Sequence, residues 1–266
     1  IDDTNKQYII NNFKNFRFFH SLEGTLLRLY WNDVNEKWYL SSHKKLDARN
    51  SRWGSKQTFG EIIDTILPQS FYDTLNKDYC YLLILTPNQD NRIVCNTLMN
   101  KLFHVGTYSK DFSLMFDYDI NIPRPDELYF QSYDELYNYV DSPNFQYMLY
   151  QGIIICDVPK QSNIKMLNYN YNNFKKIRGN SPSIMFRYLE LRCLLEWKQS
   201  LMSMFPNHIQ KFQEYEIFID RVTVKLFNEY VKRYINKQYT TISSNEHYIL
   251  KLAHAWHCED KEHNKM

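Results

Sequence analysis

The chain has 266 residues, 44% hydrophobic and 23% charged, with 17% aromatics and only 6 glycines; such a chain can bury a core and is not a disordered segment. With 32 basic and 30 acidic residues its formal net charge is +2, which excludes a global charge drive onto nucleic acid or membrane, so any such role must rest on a local patch. No apolar run reaches the roughly 20 residues of a membrane span, and the five cysteines (Cys80, Cys95, Cys156, Cys193, Cys258) form no Cys-x-x-Cys pair, which points to a reducing, intracellular setting rather than a disulfide framework or zinc ribbon.

The sequence opens at Ile1 with no signal-peptide pattern and reads as a segment trimmed or cut from something longer. Residues 25–30 and 37–42 read as the strands of a hairpin about the polar Asn32 and Asp33. Thr58 and Glu61 have capping-box spacing, in which hydroxyl and carboxylate satisfy orphan amides at a helix start; a helix is expected to about Leu67, before Pro68. Residues 79–85 are a dense apolar run, and residues 92–95, after a polar turn, are expected to complete a second hairpin with it. Residues 99–108 read as a further strand, Ser132 and Glu135 as a second capping box opening a helix to about Val140, and residues 152–157 and 163–168 as two more strands. Cys80, Cys95 and Cys156 fall in these apolar runs and read as buried structural thiols.

From Ser181 the texture turns helical. Ser181 is expected as N-cap with Pro182 at the first helical position, the helix running to about Phe205 before Pro206 breaks it. A long pattern from Ile209 to about Ile235 places Phe212, Tyr215, Ile219, Val222, Leu226 and Tyr230 on one face. Ser243 and Glu246 form a third capping box, opening a helix through His257. The expected architecture is α+β, with a mixed body over residues 1–180 and a helical C-terminal domain over 181–266.

Four segments fall in a distinctive order. They are Ser21-Leu-Glu-Gly-Thr25 leading into a strand, Leu83-Ile-Leu-Thr-Pro87 followed by Asn91-Arg-Ile-Val94, Gln151-Gly-Ile-Ile-Ile155, and Ile164-Lys-Met-Leu167. In order and spacing they resemble the covalent nucleotidyltransferase superfamily of ATP-dependent ligases and mRNA capping enzymes, especially phage-type RNA ligases and their relatives in large DNA viruses. Those enzymes open with Lys-x-(Asp/Glu)-Gly-(Ser/Thr) and continue with a glutamate strand running into Pro and an Asn-Arg-Ile-Val segment. Glu-Gly-(Ile/Val)-Val and a strand bearing Lys-x-Lys follow. The resemblance covers residues 18–180. It implies ligase-like antiparallel sheets with flanking helices, ATP or GTP with Mg2+ as cofactor, RNA as partner, and the cytoplasm of a virus-infected host cell as the setting. It makes Glu23, Gly24, Arg28, Gln151 and Lys165 the nucleotide-binding positions.

The departures from that pattern decide the chemistry. The family's nucleophilic lysine position is Ser21, and a hydroxyl needs a dedicated base, for which only His20 stands near in sequence. The third-motif carboxylate falls on Leu83, the fourth-motif Glu is the neutral Gln151, and of the lysine pair only Lys165 remains, with Leu167 at the second position. The scaffold is kept and covalent catalysis is lost.

A second group, residues 41–53, is the densest basic and aromatic stretch of the chain. Lys44, Lys45, Arg49, Arg52 and Trp53 are its RNA-binding candidates, by phosphate neutralisation and base stacking; a solvated loop around one buried Trp is the bland alternative. Lys44 or Lys45 is also the possible displaced nucleophile. A third group, Lys175, Lys176 and Arg178 with Arg187 and Arg192, reads as an interdomain salt-bridge seam or the wall of an RNA groove. His254, His257, Cys258 and His263 pack and cap a helix end rather than bind metal, so no metal site is expected. No Ser-His-Asp set, P-loop or Rossmann glycine motif is present.

The expectation is therefore an RNA ligase-like pseudoenzyme that retains nucleotide or RNA binding, or recognises a protein partner or a second copy of itself, with no membrane role. The alternatives are an active RNA ligase or guanylyltransferase using a displaced lysine, and a purely structural component of a virion or complex.

Overall fold

The structure, a computed structural model, describes residues 2–86, 92–260 and 263–264. It divides into two compact units, Ile1–Trp197 and Lys198–Met266. Among the described residues of the first unit, helix α1 (Asp3–Asn11) leads into β1 (Phe16–Ser21), β2 (Thr25–Asn32) and β3 (Lys37–Ser41). Helices α2 (Phe59–Ile66) and α3 (Gln69–Tyr72) precede β4 (Cys80–Thr86) and β5 (Lys101–Tyr108). Two short strands follow, β6 (Leu114–Met115) and β7 (Glu127–Leu128), then α4 (Tyr133–Asp141), β8 (Gly152–Asp157) and β9 (Ser162–Leu167). The unit continues through α5 (Tyr169–Arg178) and α6 (Ile184–Leu191) into the first residues of α7 (Leu195–Met204).

The strands make two antiparallel sheets, ordered β7-β1-β8-β9 and β3-β2-β4-β5-β6, so the fold class is α+β. Each sheet has one face closed by helices, and strand alternation decides which residues go there. Leu27 and Leu29 of β2 and Tyr81, Leu83 and Leu85 of β4 are buried with Phe59, Ile62 and Ile63 of α2. Phe16 and Phe18 of β1 and Ile153 and Ile155 of β8 are buried with Ile9 of α1 and Leu136 and Val140 of α4. The intervening residues of β2, β4, β1 and β8 are left to the opposite faces, which meet around a cavity.

Two capping boxes form as expected, at Thr58 with Glu61 and at Ser243 with Glu246. At α4 only half of one forms: Ser132 accepts from Glu135 N–H, but the Glu135 carboxylate reaches back to Gln131 N–H. The expected hairpin of residues 92–95 does not exist. The partner of β4 is β5, from Cys80 against Tyr108 to Thr86 against Lys101, and the Ile93–Cys95 amides turn instead toward Glu23. The cap of α6 is Ser183, accepting from Phe186 N–H, not Ser181. The single helix expected up to Phe205 is two, because its turn tightens at Leu191, where Leu194 N–H bonds Leu191 C=O three residues back.

In the second unit α8 (Ile209–Tyr230) runs into a π turn at Val231–Ile235, and α9 (Ser244–Glu259) follows. Of the apolar face expected on α8, Phe212 and Tyr230 are buried, whereas Tyr215 and Val222 are exposed. His254 Nδ1 lies 3.1 Å from the Tyr230 hydroxyl and its ring stacks on Tyr234, and His257 Nδ1 lies 2.7 Å from Asn264 C=O.

His104 of β5 is completely buried, its Nε2 2.9 Å from Gly106 C=O. That acceptor fixes the neutral tautomer with the proton on Nε2. Burial, reinforced by the positive charge of Arg124, pushes the imidazole down to about 4, with Asp119 the opposing charge. A folded-state value below the unfolded one gives stability that is full above about pH 6.5 and lost as pH falls toward 4. The expected loss is about 2–3 kcal/mol across that window. Urea denaturation at pH 7 and pH 4.5 of the natural chain and of His104→Gln should show a shallower pH slope in the variant; equal slopes would refute the assignment.

Candidate functional site

The site begins where the chain crosses between sheets: Ser21 ends β1 in one and Thr25 opens β2 in the other. The crossing passes so close to β4 that a Cβ on Gly24 would stand 2.5 Å from Leu85 C=O. Only glycine fits that path.

Glu23, buried in the crossing, has both carboxylate oxygens engaged. One accepts from Ile93 N–H at 2.6 Å; the other accepts from Val94 N–H at 2.8 Å, Cys95 N–H at 3.0 Å and the Tyr171 hydroxyl at 3.2 Å. Two buried arginines frame this carboxylate. Arg92 donates to Val94 C=O at 2.7 Å, and Arg178 donates to Ser181 C=O at 2.8 Å with its guanidinium 5.9 Å from the Trp53 ring centre. Burial lowers both, Arg178 to about 10, while the charge of Glu23 opposes the shift. Burial, and then the same negative charge, pushes the Cys95 thiol and the Tyr171 hydroxyl up.

Gln151 stands just before β8 and joins three segments. Its N–H donates to Ser21 C=O at 2.8 Å, its C=O accepts from Asn168 N–H at 3.0 Å, and its side-chain oxygen accepts from Lys165 Nζ at 2.9 Å and Ser21 Oγ at 3.4 Å. Gly152 has φ +151°, and a Cβ there would lie 2.0 Å from Met166 C=O of β9. The Lys165 side chain keeps solvent contact, yet the surrounding protein lowers its pKa, with the nearby Lys175 cation acting in the same direction.

Two cavities open on this junction. One, of about 140 Å³, is lined by Glu23, Trp53, Gln57, Asn100 and Asn180 among others; the second, of about 280 Å³, is lined by Ser21, Leu26, Ile84, Arg124 and Lys165 among others. Gly24 and Gln151 belong to both.

The structure thus brings Ser21, Glu23, Gly24, Gln151, Lys165 and Trp53 together around one junction. Arg28 of β2, opposite Ser41 and Leu82, is not among the lining residues of either cavity. Lys44, Lys45 and Arg52 are exposed on the segment after β3, and Arg49 pairs with Asp64 of α2. His20 is no base for Ser21. Its Nε2 lies 3.0 Å from the Tyr139 hydroxyl, its ring stacks on Tyr150, and burial lowers its pKa against the pull of Asp126.

Leu83, expected at the third-motif carboxylate position, lies in the core against α2; the cavity-facing residues of β4 are Leu82 and Ile84. Pro87 and Asn91 of the motif-like segments fall outside the described residues. Arg187 donates to the last carbonyls of α5, Ile177 at 2.8 Å and Lys176 at 3.0 Å, so it caps that helix. Cavity residues such as Gln57, Asn100 and Asn180 carry no signal in the linear sequence, since they meet only through the fold.

No family model matches the chain. Among curated proteins it is 29% identical over 225 residues to the immediate-early protein ICP-46 homolog of Invertebrate iridescent virus 3, spanning 80% of this chain and 49% of that protein. It is 26% identical over 269 residues to the immediate-early protein ICP-46 homolog of Invertebrate iridescent virus 6, spanning 91% of this chain and 58% of that protein. The chain therefore spans about half the length of the curated relatives it matches. Among solved structures it is similar to Naegleria gruberi RNA ligase. An alanine variant of that ligase with ATP and Mn gives a TM-score of 0.44 at 9% identity, over 64% of this chain and 55% of that one. The ligase with PPi gives a TM-score of 0.42 at 10% identity, over 64% of this chain and 56% of that one.

Proposed function

We propose that this chain is an RNA ligase-like nucleotidyltransferase scaffold that has lost covalent catalysis and binds a nucleotide or an RNA end without transferring it. The observation that carries this reading is the division of labour among the motif-like residues. Those that match the ligase pattern and hold the chain path are present: Gly24 and Gly152 permit backbone approaches that a Cβ would block, and Glu23 ties the Ile93–Cys95 amides. Those that would do chemistry are replaced, by a hydroxyl at Ser21 and a neutral amide at Gln151.

The residues present do not fit a catalytic divalent ion. Such an ion needs free anionic oxygens, and the Glu23 oxygens already face N–H and O–H donors, while Gln151 is uncharged and engaged with Lys165. Binding is accordingly proposed to be independent of Mg2+. A base would enter the cavity beside Trp53, where the side-chain amides of Gln57, Asn100 and Asn180 offer donors and acceptors, and Lys165 would face phosphate. RNA would continue along the exposed Lys44, Lys45 and Arg52, a contact that weakens with salt. The viral relatives support a role in a virus-infected cell, and its cytoplasm is the compartment proposed. No helix among the described residues is long and apolar enough to cross a membrane.

Incubation with labelled ATP or GTP and Mg2+ should leave no label after denaturation. ATP, GTP or a short RNA should nevertheless raise the melting temperature, with or without Mg2+, and Trp53→Ala should abolish the rise. A denaturation-resistant label mapped to Lys165, Lys44 or Lys45 would establish an active enzyme with a displaced lysine. No thermal shift with any nucleotide or RNA would leave a structural role.

A further inference from the structure

The second cavity differs in chemistry from the Trp53 cavity. Its walls are the sheet faces turned away from the helices: Leu26 of β2, Leu82 and Ile84 of β4, Val105 of β5 and Ile154 of β8, with Phe116. Leu26 remains 41% exposed, an apolar surface whose removal from water is favourable. The volume of about 280 Å³ sits near the lower end of small-ligand cavities, which begin at roughly 300 Å³.

Charge in this cavity has one sign. Lys165 and Arg124 are in the lining, and no aspartate or glutamate is among the lining residues described. Asp126, the acidic group near this wall, lies 3.8 Å from His20 Nδ1. At the junction end, Lys165 Nζ and Ser21 Oγ both point at the Gln151 side-chain oxygen. An anionic head placed there would accept from a further N–H of the ammonium, and from the hydroxyl once it turns away from the Gln151 oxygen at 3.4 Å; charge-assisted bonds of this kind are about twice as strong as neutral ones. A nucleobase suits the aliphatic walls poorly, because each polar edge group left there without a partner keeps its full desolvation cost.

We propose that this cavity binds a small amphipathic anion, with a medium-length apolar body against the Leu26, Leu82, Ile84 and Ile154 wall and a carboxylate or phosphate head on Lys165 and Ser21. The apolar body occupies a different cavity from the Trp53 one, but the head shares the Lys165 junction with the phosphate end of the proposed nucleotide site. Leu26→Asp and Trp53→Ala, rather than Lys165→Met, therefore separate the two ligands.

Titration calorimetry of the whole chain with decanoate, decyl phosphate and decanol reads this directly. One molecule of at least one of the two anions should bind per chain, and the tighter of the two identifies the head group. Decanol should bind at least about tenfold more weakly, and Lys165→Met should weaken the anions about tenfold while leaving decanol unchanged. Leu26→Asp, at a half-exposed position that tolerates a polar residue without unfolding, should abolish anion binding and spare the thermal shift by nucleotide. Trp53→Ala should do the reverse. Equal binding of decanol and decanoate, no effect of Lys165→Met, no saturable anion binding, or loss of anion binding in Trp53→Ala but not in Leu26→Asp would each overturn the proposal.

Discussion

Replacing Glu23 by glutamine should destabilise the first unit by about 3–5 kcal/mol, because removing one partner from a buried charge cluster leaves the others uncompensated. The native carboxylate accepts from three main-chain N–H groups and from Tyr171. Glutamine keeps one acceptor oxygen but turns an NH2 donor toward N–H donors, and it removes the negative charge facing Arg92 and Arg178. Urea denaturation followed by tryptophan fluorescence measures the loss. Adding Arg92→Met to Glu23→Gln should cost less than the sum of the single changes, by about 1 kcal/mol, since neighbouring charges couple. If Glu23→Gln left the midpoint unchanged and only weakened nucleotide binding, Glu23 would be a ligand contact rather than the tie between sheets.

Gly152→Ala should be comparably damaging, by about 3–4 kcal/mol or to the point of failed folding, at or above the upper end of ordinary single changes. A Cβ at 2.0 Å from Met166 C=O and 2.8 Å from Leu167 Cα meets backbone on both counts, and backbone of a paired strand has little room to give. The φ of +151° adds a conformational cost that alanine carries and glycine does not. The comparison is Gly106→Ala, whose new Cβ would meet the movable end of Leu114 at 3.0 Å; a change of about 1 kcal/mol or less is expected there. Similar denaturation midpoints for the two variants would show that the Gln151-Gly152 segment is not fixed by its approach to β9.

Glu23, Gly24 and Gly152 are required by the chain path itself, through the amides that Glu23 ties and the backbone approaches that a Cβ would block. Ser21 bonds the Gln151 side-chain oxygen, which also accepts from Lys165. Under the proposed function, that is how the motif order would outlast the reactive groups.

Local chemistry was legible where it acts over a few residues. The Thr58 and Ser243 capping boxes, the β2–β3 hairpin and the apolar runs of β4 and β8 follow from hydrogen-bond capacity and alternation, and the sequence determined them unaided. It missed α1, β1 and α5: Ile9 of α1 is buried with residues of β1 and β8, β1 is itself a strand of that sheet, and Tyr171 of α5 is held by Glu23, contacts that no local pattern announces. The Arg92–Cys95 segment has the composition of a strand but lies in a turn, because a buried carboxylate 70 residues earlier takes its amides. Pairing of β4 with β5, the convergence of Ser21, Gln151 and Lys165, and the separation of an amide-lined cavity from an aliphatic one were decided by tertiary structure alone. Each depends on which distant backbone a residue is pressed against, and one-dimensional spacing carries no record of that distance.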